Sequence, residues 1–286
     1  WRLIVPTAPA APLWTDAGAK ALETSLGDAA GPSGAFLIGL GDGATAAFFL
    51  ASRTPHLWRA ALAIGGRPKT AIDTNKLFAA NTQLVPLLWI VPEEMKADSG
   101  PVYKRLAAAG FNVQFRSSQG FTIGQALDWL AAVRREPVPY KIDCETGNAA
   151  FSRCYWAEIL KADPARRNDA VPTTRVAPGS GASLALGGFG YDTSAPGPGA
   201  LVAWLPEGYR GSLRLQDRIV SVGGKPVRDG RDYSEIMDQI NEEKTVAVIV
   251  ERGKSRVRLE TRVTLPRREE MFTARVQAEF LLDSRV

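Results

Sequence analysis

The sequence is poor in the side chains that build metal sites and acid–base catalysts. It contains one histidine, His56, and two cysteines, Cys144 and Cys154. Zinc sites use three or four such ligands converging on one point, so two cysteines and a distant histidine do not predict one. Long apolar runs are missing too, since no stretch approaches the roughly 20 apolar residues that cross a bilayer. The residues therefore predict neither a bound metal nor a membrane span.

The sequence also has only a small excess of charge of one sign. The net charge is +5 over 286 residues, and the arginines of the C-terminal third alternate with Glu251, Glu260, Glu269 and Glu270. This mixture is typical of a solvated β-sheet face, so we expect no nucleic-acid partner. A hydrophobic content of 45% suffices for two domains with separate cores. The chain begins at Trp1 inside a predicted strand and without a signal peptide, which suggests a fragment of a longer precursor.

One glycine cluster organises the first part of the sequence. The apolar run Ala35–Leu40 enters a glycine turn, and an alanine-rich apolar helix follows at once. A strand, sharp turn and helix of this kind carry a nucleophilic serine in the pattern G-x-S-x-G. Here the frame contains both flanking glycines, Gly39 and Gly43, but its central position is Gly41. The turn is predicted to keep its shape without the nucleophile.

Apolar runs alternate with helical patterns through the first 135 residues. This alternation predicts a parallel sheet covered by helices on both faces. The predicted strands are Arg2–Pro6, Ala35–Leu40, Ala60–Ile64, Leu84–Val91 and Phe111–Phe115, and the predicted helices are Asp16–Ala29, the one after the glycine turn, Val102–Ala109 and Ile123–Val133.

The order of these elements resembles the second half of an α/β-hydrolase of the esterase or dienelactone-hydrolase kind. The matching motifs are Gly39–Gly43, the link Thr54–Trp58, the strand Ala60–Gly66 and the helix containing Ala126–Leu130. The resemblance covers roughly residues 1–135, so the first strands of the family would lie upstream.

The catalytic triad that the resemblance implies is incomplete. A triad needs a nucleophile, a histidine to accept its proton and an acid to orient the histidine. Gly41 occupies the nucleophile position, and Phe121 stands where the family's histidine is expected. Candidate acids remain, but without a histidine they have no group to orient. His56 lies where the family has a structural residue. We therefore expect no serine-hydrolase activity, and the candidate acids are Glu93, Glu94 and Asp98.

The same glycines also fit the loose dinucleotide fingerprint G-x-G-x-x-A, from Gly39 to Ala44. That fingerprint requires a carboxylate at the end of the next strand, which here ends in Gly65 and Gly66. A nicotinamide or flavin site is the less favoured alternative, and we expect no cofactor.

After residue 136 the pattern becomes β-rich. Tyr140–Thr146 and Ser152–Leu160 are predicted to form a hairpin around a glycine turn. Cys144 and Cys154 would face one another across it, within reach of a disulfide, or remain two buried thiols.

A second domain follows from about residue 185. Predicted strands cover Ala200–Leu205, Val246–Glu251 and Ser255–Val263, and Tyr233–Asn241 is predicted to be an amphipathic helix. Gly223–Gly224 between two strands is a hairpin signal, because both residues accept positive φ.

The stretch Leu213–Val227 resembles the PDZ line L-x-x-G-D-x-I-x-x-V-N-G-x-x-V, with Gln216 and Gly223 in place of its first glycine and its asparagine. PDZ domains bind extended C-terminal peptides by adding a strand to a sheet edge. Their carboxylate loop has the form G-Φ-G-Φ, whose backbone N–H groups form an anion-binding nest. The resemblance implies the following peptide-binding residues: Gly188, Phe189, Gly190, Tyr191, Tyr233, Met237 and Ile240.

The sequence thus predicts an α/β parallel-sheet domain, α/β-hydrolase-like and partial, followed by a small β-rich PDZ domain. The predicted boundaries are 1–136, a bridge over 137–184, the PDZ domain over 185–266, and a tail over 267–286 that pairs with something outside this fragment. The predicted function is non-catalytic binding of extended or C-terminal peptides. The alternative is an ester or peptide hydrolase whose catalytic residues lie outside the fragment. An extracellular or periplasmic setting is expected from the resemblance and from a disulfide at Cys144 and Cys154.

Overall fold

The chain divides into two units, one formed by Trp1–Ala177 with Glu270–Val286 and the other by Pro178–Glu269. A computed structural model describes residues 4–5, 11–74, 76–163, 171–192, 195–266 and 273–280. These bounds differ from the predicted ones, because most of the 137–184 bridge belongs to the first unit and the end of the chain returns to it.

The regular elements follow in chain order. The first unit contains α1 (Asp16–Leu26), β1 (Ala35–Leu40), α2 (Asp42–Arg53), β2 (Trp58–Ile64), α3 (Lys69–Asp73), β3 (Leu87–Val91), α4 (Glu93–Ala108), β4 (Val113–Ser117), α5 (Ile123–Ala132), β5 (Lys141–Thr146), β6 (Arg153–Cys154) and β7 (Ala157–Glu158). The second contains β8 (Ser183–Leu184), β9 (Gly190–Asp192), β10 (Ala200–Trp204), β11 (Arg218–Val222), β12 (Lys225–Pro226), α6 (Gly230–Asp238), β13 (Thr245–Arg252) and β14 (Ser255–Thr264), and the last strand, β15 (Ala274–Glu279), returns to the first unit.

The first unit is built on a parallel sheet with the order β1-β2-β3-β4. Because side chains alternate along a strand, Ala61 and Ala63 of β2 face a core with α2, whereas Ala60 and Leu62 face a second core with α5. Both faces are therefore covered, as predicted. Strands β1, β2 and β3 contain almost only apolar residues, whereas polar and apolar residues alternate in the edge strand β4. Burying each large side chain, such as Trp89, contributes about 1.5–3 kcal/mol.

Helix starts in the first unit follow capping rules. Thr15 accepts a hydrogen bond from the Gly18 backbone before α1. At α5, Thr122 and Gln125 form a reciprocal capping box. Helix α4 begins at Glu93, nine residues earlier than predicted, and continues through Pro101. Of the predicted first strand, Ile4 and Val5 belong to no strand, and the rest lies outside the described residues.

The predicted hairpin between Tyr140–Thr146 and Ser152–Leu160 is wrong. Strand β5 pairs antiparallel with β15 near the end of the chain, with Cys144 opposite Val276. The residues of the second predicted strand form their own short hairpin, β6 with β7. The prediction that the tail pairs with something outside this sequence is also wrong, because β15 of the tail pairs with β5. A disulfide nevertheless joins Cys144 to Cys154, with the two Cα atoms 6.2 Å apart.

The second unit is a curled antiparallel sheet with the path β8-β14-β13-β11-β10-β9, and β12 also pairs with β11. Gly223 and Gly224 both have positive φ, 57° and 82°, in the predicted hairpin turn. Helix α6 starts three residues before the predicted position and is capped by Asp229, which accepts from the Asp232 backbone N–H. The core joins the inward face of the sheet to α6, through residues such as Val248, Val250 and Ile236.

Candidate functional site

The glycine turn is a sharp connection between a strand and a helix. Strand β1 ends at Leu40, α2 begins at Asp42, and Gly41 between them has φ 55° and ψ −119°. Its N–H donates to the carbonyl of Ile64 over 2.9 Å, and its own carbonyl accepts from Ala44 over 3.0 Å. A residue with a side chain rarely adopts such angles, so glycine suits this turn.

Neighbouring glycines allow the strand and helix to approach. A Cβ on Gly39 would lie 2.0 Å from the carbonyl oxygen of Gly43, and one on Gly66 would lie 2.1 Å from that of Gly41. A Cβ on Gly41 itself would meet nothing within 4 Å. The position that carries the nucleophile in the pattern therefore faces open space. The part played by Gly66 escaped the sequence analysis, where it marked only a strand end.

The other predicted triad positions lie at the carboxyl edge of the same sheet. Glu93 accepts hydrogen bonds from the Ser117 hydroxyl and from Lys96 at 3.1 Å. These bonds, that from Ser117 foremost, hold the pKa of Glu93 below its usual value. Asp98 lies 3.5 Å from Arg67, and Glu94 stands in the first turn of α4. Phe121 packs on the α5 core, so no imidazole accompanies these acids.

His56 lies elsewhere, in a short 3₁₀ turn between α2 and β2. Its Nε2 is 3.5 Å from Glu23, and its side chain is 11% exposed. Burial lowers the pKa of His56 to about 4; Glu23 opposes this shift, whereas Arg153 and Arg135 add to it. The ring is therefore neutral at pH 7.

The dinucleotide alternative gains no support from the sheet order. In that class of fold the glycine-bearing strand lies centrally, at the point where the strand order reverses. Within the described residues β1 is an edge strand, and the order runs in one direction from β1 to β4. No group of three or more potential metal ligands occurs in the described part of the chain either.

In the second unit, the predicted peptide-binding residues come together in part. The loop Gly188–Tyr191 enters β9, one of the two edge strands of the sheet. The ring of Tyr191 contacts that of Tyr233 edge-on, with centroids 4.7 Å apart. The ring centroid of Phe189 lies 6.4 Å from that of Tyr233 and 6.5 Å from that of Tyr191. The loop and α6 therefore share one aromatic cluster.

The helix side of this cluster is more buried than the sequence suggested. Tyr233 and Met237 are 4% and 5% exposed, and burial raises the pKa of the Tyr233 hydroxyl. Ile240 lies beyond the end of α6 and is partly buried. The surface left for a ligand therefore belongs mainly to Phe189, Tyr191 and Ile240.

Asp217 has a structural role. It is 1% exposed, receives two bonds from Arg252 at 2.9 and 2.7 Å, and accepts from the Arg214 backbone at 2.7 Å. Trp204 escaped the sequence analysis as a surface residue. It is 57% exposed, and its side chain lies over Gly190 of β9.

The fold and these sites define a mixed α/β chain, with a helix-covered parallel sheet in one unit and a curled antiparallel sheet in the other. Neither a comparison with models of protein families nor a comparison with curated proteins finds a match. Among the described residues, no helix has the length and apolarity that crossing a bilayer requires.

Proposed function

We propose that the second unit binds an extended peptide, whose strand adds to β9 and whose terminal carboxylate lies at the Gly188–Tyr191 loop. The observation that carries this proposal is the position of β9. Within the described residues it pairs only with β10, so its outer edge offers backbone donors and acceptors.

The register indicates which groups face outward. Val202 of β10 donates to Asp217 and accepts from Gln216, so its backbone polar groups face β11. Tyr191 is the residue opposite Val202. In an antiparallel pair such residues do not bond each other, and the N–H and C=O of Tyr191 then face the free edge. A peptide strand would use these groups, with Phe189 and Ile240 supplying apolar contact.

Fluorescence anisotropy of labelled peptides with varied apolar C-terminal residues tests the proposal. We expect the whole chain to bind such peptides. Amidation of the peptide C-terminus should weaken the affinity at least 10-fold, because a neutral amide gains less from the backbone N–H nest. Tyr191→Pro should abolish binding by removing the outward N–H, and Tyr191→Ala, which keeps it, should weaken binding less. Equal affinity for free and amidated peptides, or equal loss in the two variants, would contradict strand addition at β9.

For the first unit we propose an α/β-hydrolase-like scaffold without serine-hydrolase activity. Gly41 offers no nucleophile, and the only histidine is buried beside Glu23. The alternative is a hydrolase whose catalytic residues are not among those of this sequence, and it is compatible with the open space at Gly41. Turnover of an activated ester by the wild-type chain, persisting in Glu93→Gln and Asp98→Asn, would favour a catalytic site made of other residues.

A further inference from the structure

A large cleft in the first unit lies at the opposite end of the strands from Gly41. It measures about 730 Å³ and adjoins a second cleft of about 400 Å³. Glu23, His56 and Arg153 line both, so we treat them together as the basic cleft. The volumes are in the range of small-molecule sites. Strand β2 begins at Trp58, which borders this region, and ends at Ile64 beside Gly41. Its length separates the cleft from the glycine turn by about 20 Å.

Positive charge dominates the walls of the basic cleft. Its cationic residues are Lys20, Arg53, Arg135 and Arg153, and its carboxylates are Glu23 and Glu158. Lys20 pairs with Glu23 at 2.7 Å and Arg53 with Asp16 at 3.5 Å, so the excess positive charge belongs to Arg135 and Arg153. Arg153 is exposed, and within the described residues its guanidinium has no hydrogen bond or ion pair. Like charges held around one space repel one another, and a bound anion relieves that repulsion.

Buried polar atoms without a partner collect on the same walls. They include Nε of Arg135 and the hydroxyl of Tyr155. The remaining nitrogens of Arg135 donate to the carbonyls of Trp58 and His56, both at 2.8 Å, and its guanidinium lies 4.9 Å from the Tyr155 ring centre. Tyr155 is 9% exposed and has φ 55°. A bulky residue with positive φ is uncommon, and such conformations cluster at functional sites.

The outer part of the basic cleft is apolar and aromatic. Trp156 is 37% exposed, and its indole N–H donates to Pro139 at 2.7 Å. Its ring stacks on Phe280 with centroids 4.5 Å apart. Val138 and Leu57 continue this wall. A fixed indole beside the unpaired guanidinium of Arg153 suits a ligand with both an apolar body and a negative end.

We propose that the basic cleft binds a small organic oxyanion, a carboxylate or phosphate ester carried on an apolar or aromatic body. The oxyanion lies at Arg153, beside Lys20 and Arg135, and the body lies against Trp156. Guanidinium groups match the planar or tetrahedral oxygens of such anions, and they need no metal to do so. This site is separate from the glycine turn and from the peptide edge of the second unit.

Isothermal titration calorimetry of the whole chain with benzoate, phenyl phosphate and the neutral benzamide tests the proposal. We expect measurable heat of binding for at least one of the two anions. The affinity for benzamide should be at least 10-fold weaker than that for the anion, and the affinity for the anion should fall as salt is added. Arg153→Gln should weaken the anion at least 10-fold without changing the melting temperature. Trp156→Ala should weaken phenyl phosphate more than inorganic phosphate.

Arg116→Gln is the matched control, since it removes the same charge from an exposed position of β4 outside the cleft. Its affinity for the anions should equal that of the wild type. Three results would overturn the proposal: no binding of either anion by the folded chain, equal binding of benzamide, or equal losses in Arg153→Gln and Arg116→Gln.

Discussion

Backbone angles at two residues, Gly41 and Gln216, bear on where this chain departs from the sequence patterns it resembles. Gly41 at φ 55° is a glycine where the G-x-S-x-G pattern has a serine. Gln216 at φ 68° is the converse, a glutamine where the PDZ line has a glycine. The positive φ explains why glycine is usual at such a position, because a Cβ makes that conformation costly. The angle at Gln216 could not be predicted from the residue present, because a side chain disfavours positive φ.

Gln216→Gly should therefore stabilise the chain. The exposed Gln216 side chain has no described bond, so the variant loses little and removes an unfavourable conformation. We expect the free energy of unfolding to rise by about 0.5–1 kcal/mol, the relief of φ strain exceeding the entropy cost of glycine. Urea denaturation of the variant measures this. Gln216→Ala, which keeps the Cβ, should be neutral, and an equal gain in both variants would contradict a backbone origin.

His56 makes stability depend on pH. Burial lowers the pKa of His56 to about 4, from an ordinary value of about 6.5. The unfolded chain therefore takes up a proton that the folded chain refuses. The neutral, buried ring makes its full contribution to the free energy of unfolding above pH 6.5. That contribution falls by roughly 3 kcal/mol in total as the pH drops toward 4.

Urea denaturation of wild type and His56→Gln at pH 7.5 and pH 4.5 separates this contribution from that of the carboxylates, which both proteins share. The wild type should lose about 2–3 kcal/mol more than the variant between the two pH values. Glu23, Arg135 and Arg153 face the ring and remain in both. Equal losses would show that His56 is not buried as described.

At the scale of elements, local patterns were reliable and distant pairings were not. Strand β1, the glycine turn and the Gly223–Gly224 hairpin were predicted because their determinants are adjacent in sequence. The tail over 267–286 was also predicted to pair, but a local pattern specifies which face of a strand is buried and not which strand is its partner. The partner of β15 is β5, which lies about 130 residues earlier. The basic cleft escaped prediction likewise, since Arg53, Arg135 and Arg153 converge only after folding.

The pairing of β5 with β15 depends on Asp143. This carboxylate accepts from Arg275 at 2.8 and 2.5 Å and from Gln277 at 3.0 Å. Burial raises the pKa of Asp143, but these bonds outweigh it and the pKa lies below its usual value. The stabilisation is thus present above the ordinary carboxyl pKa and is lost as the pH falls through the lowered one.

Asp143→Asn should loosen β15 from β5, because Arg275 keeps its charge and its bond to the Pro172 carbonyl but loses its carboxylate partner. We expect about 1–2 kcal/mol less protection for the backbone amides of Ala274–Glu279 in hydrogen exchange. Glu279→Gln is the control, since Glu279 is 3.9 Å from Lys141 in an exposed pair and should change little. Equal effects of the two substitutions would contradict this role of Asp143.

At the scale of the whole molecule, the chain is two units with separate cores, and the first includes β15, which returns from the C-terminal part of the chain to pair with β5. Buried Asn81 exchanges hydrogen bonds of 2.7 Å with the backbone of Glu145 on β5, which ties that strand to the parallel-sheet unit. The disulfide then ties β5 to the β6–β7 hairpin. The second unit contains no cysteine. Reduction of the disulfide should therefore affect the first unit and leave the second unchanged.

Replacing both Cys144 and Cys154 by alanine should lower the stability of the first unit by about 3 kcal/mol, because the bond closes a loop with a sequence separation of 10. Hydrogen exchange should show lost protection in Lys141–Thr146, with Thr245–Arg252 of the second unit unchanged. Dithiothreitol should reproduce the effect in wild type and do nothing further in the variant. Equal loss in Thr245–Arg252 would mean that the two units unfold as one, because a bond confined to the first unit can destabilise the second only if their unfolding is coupled.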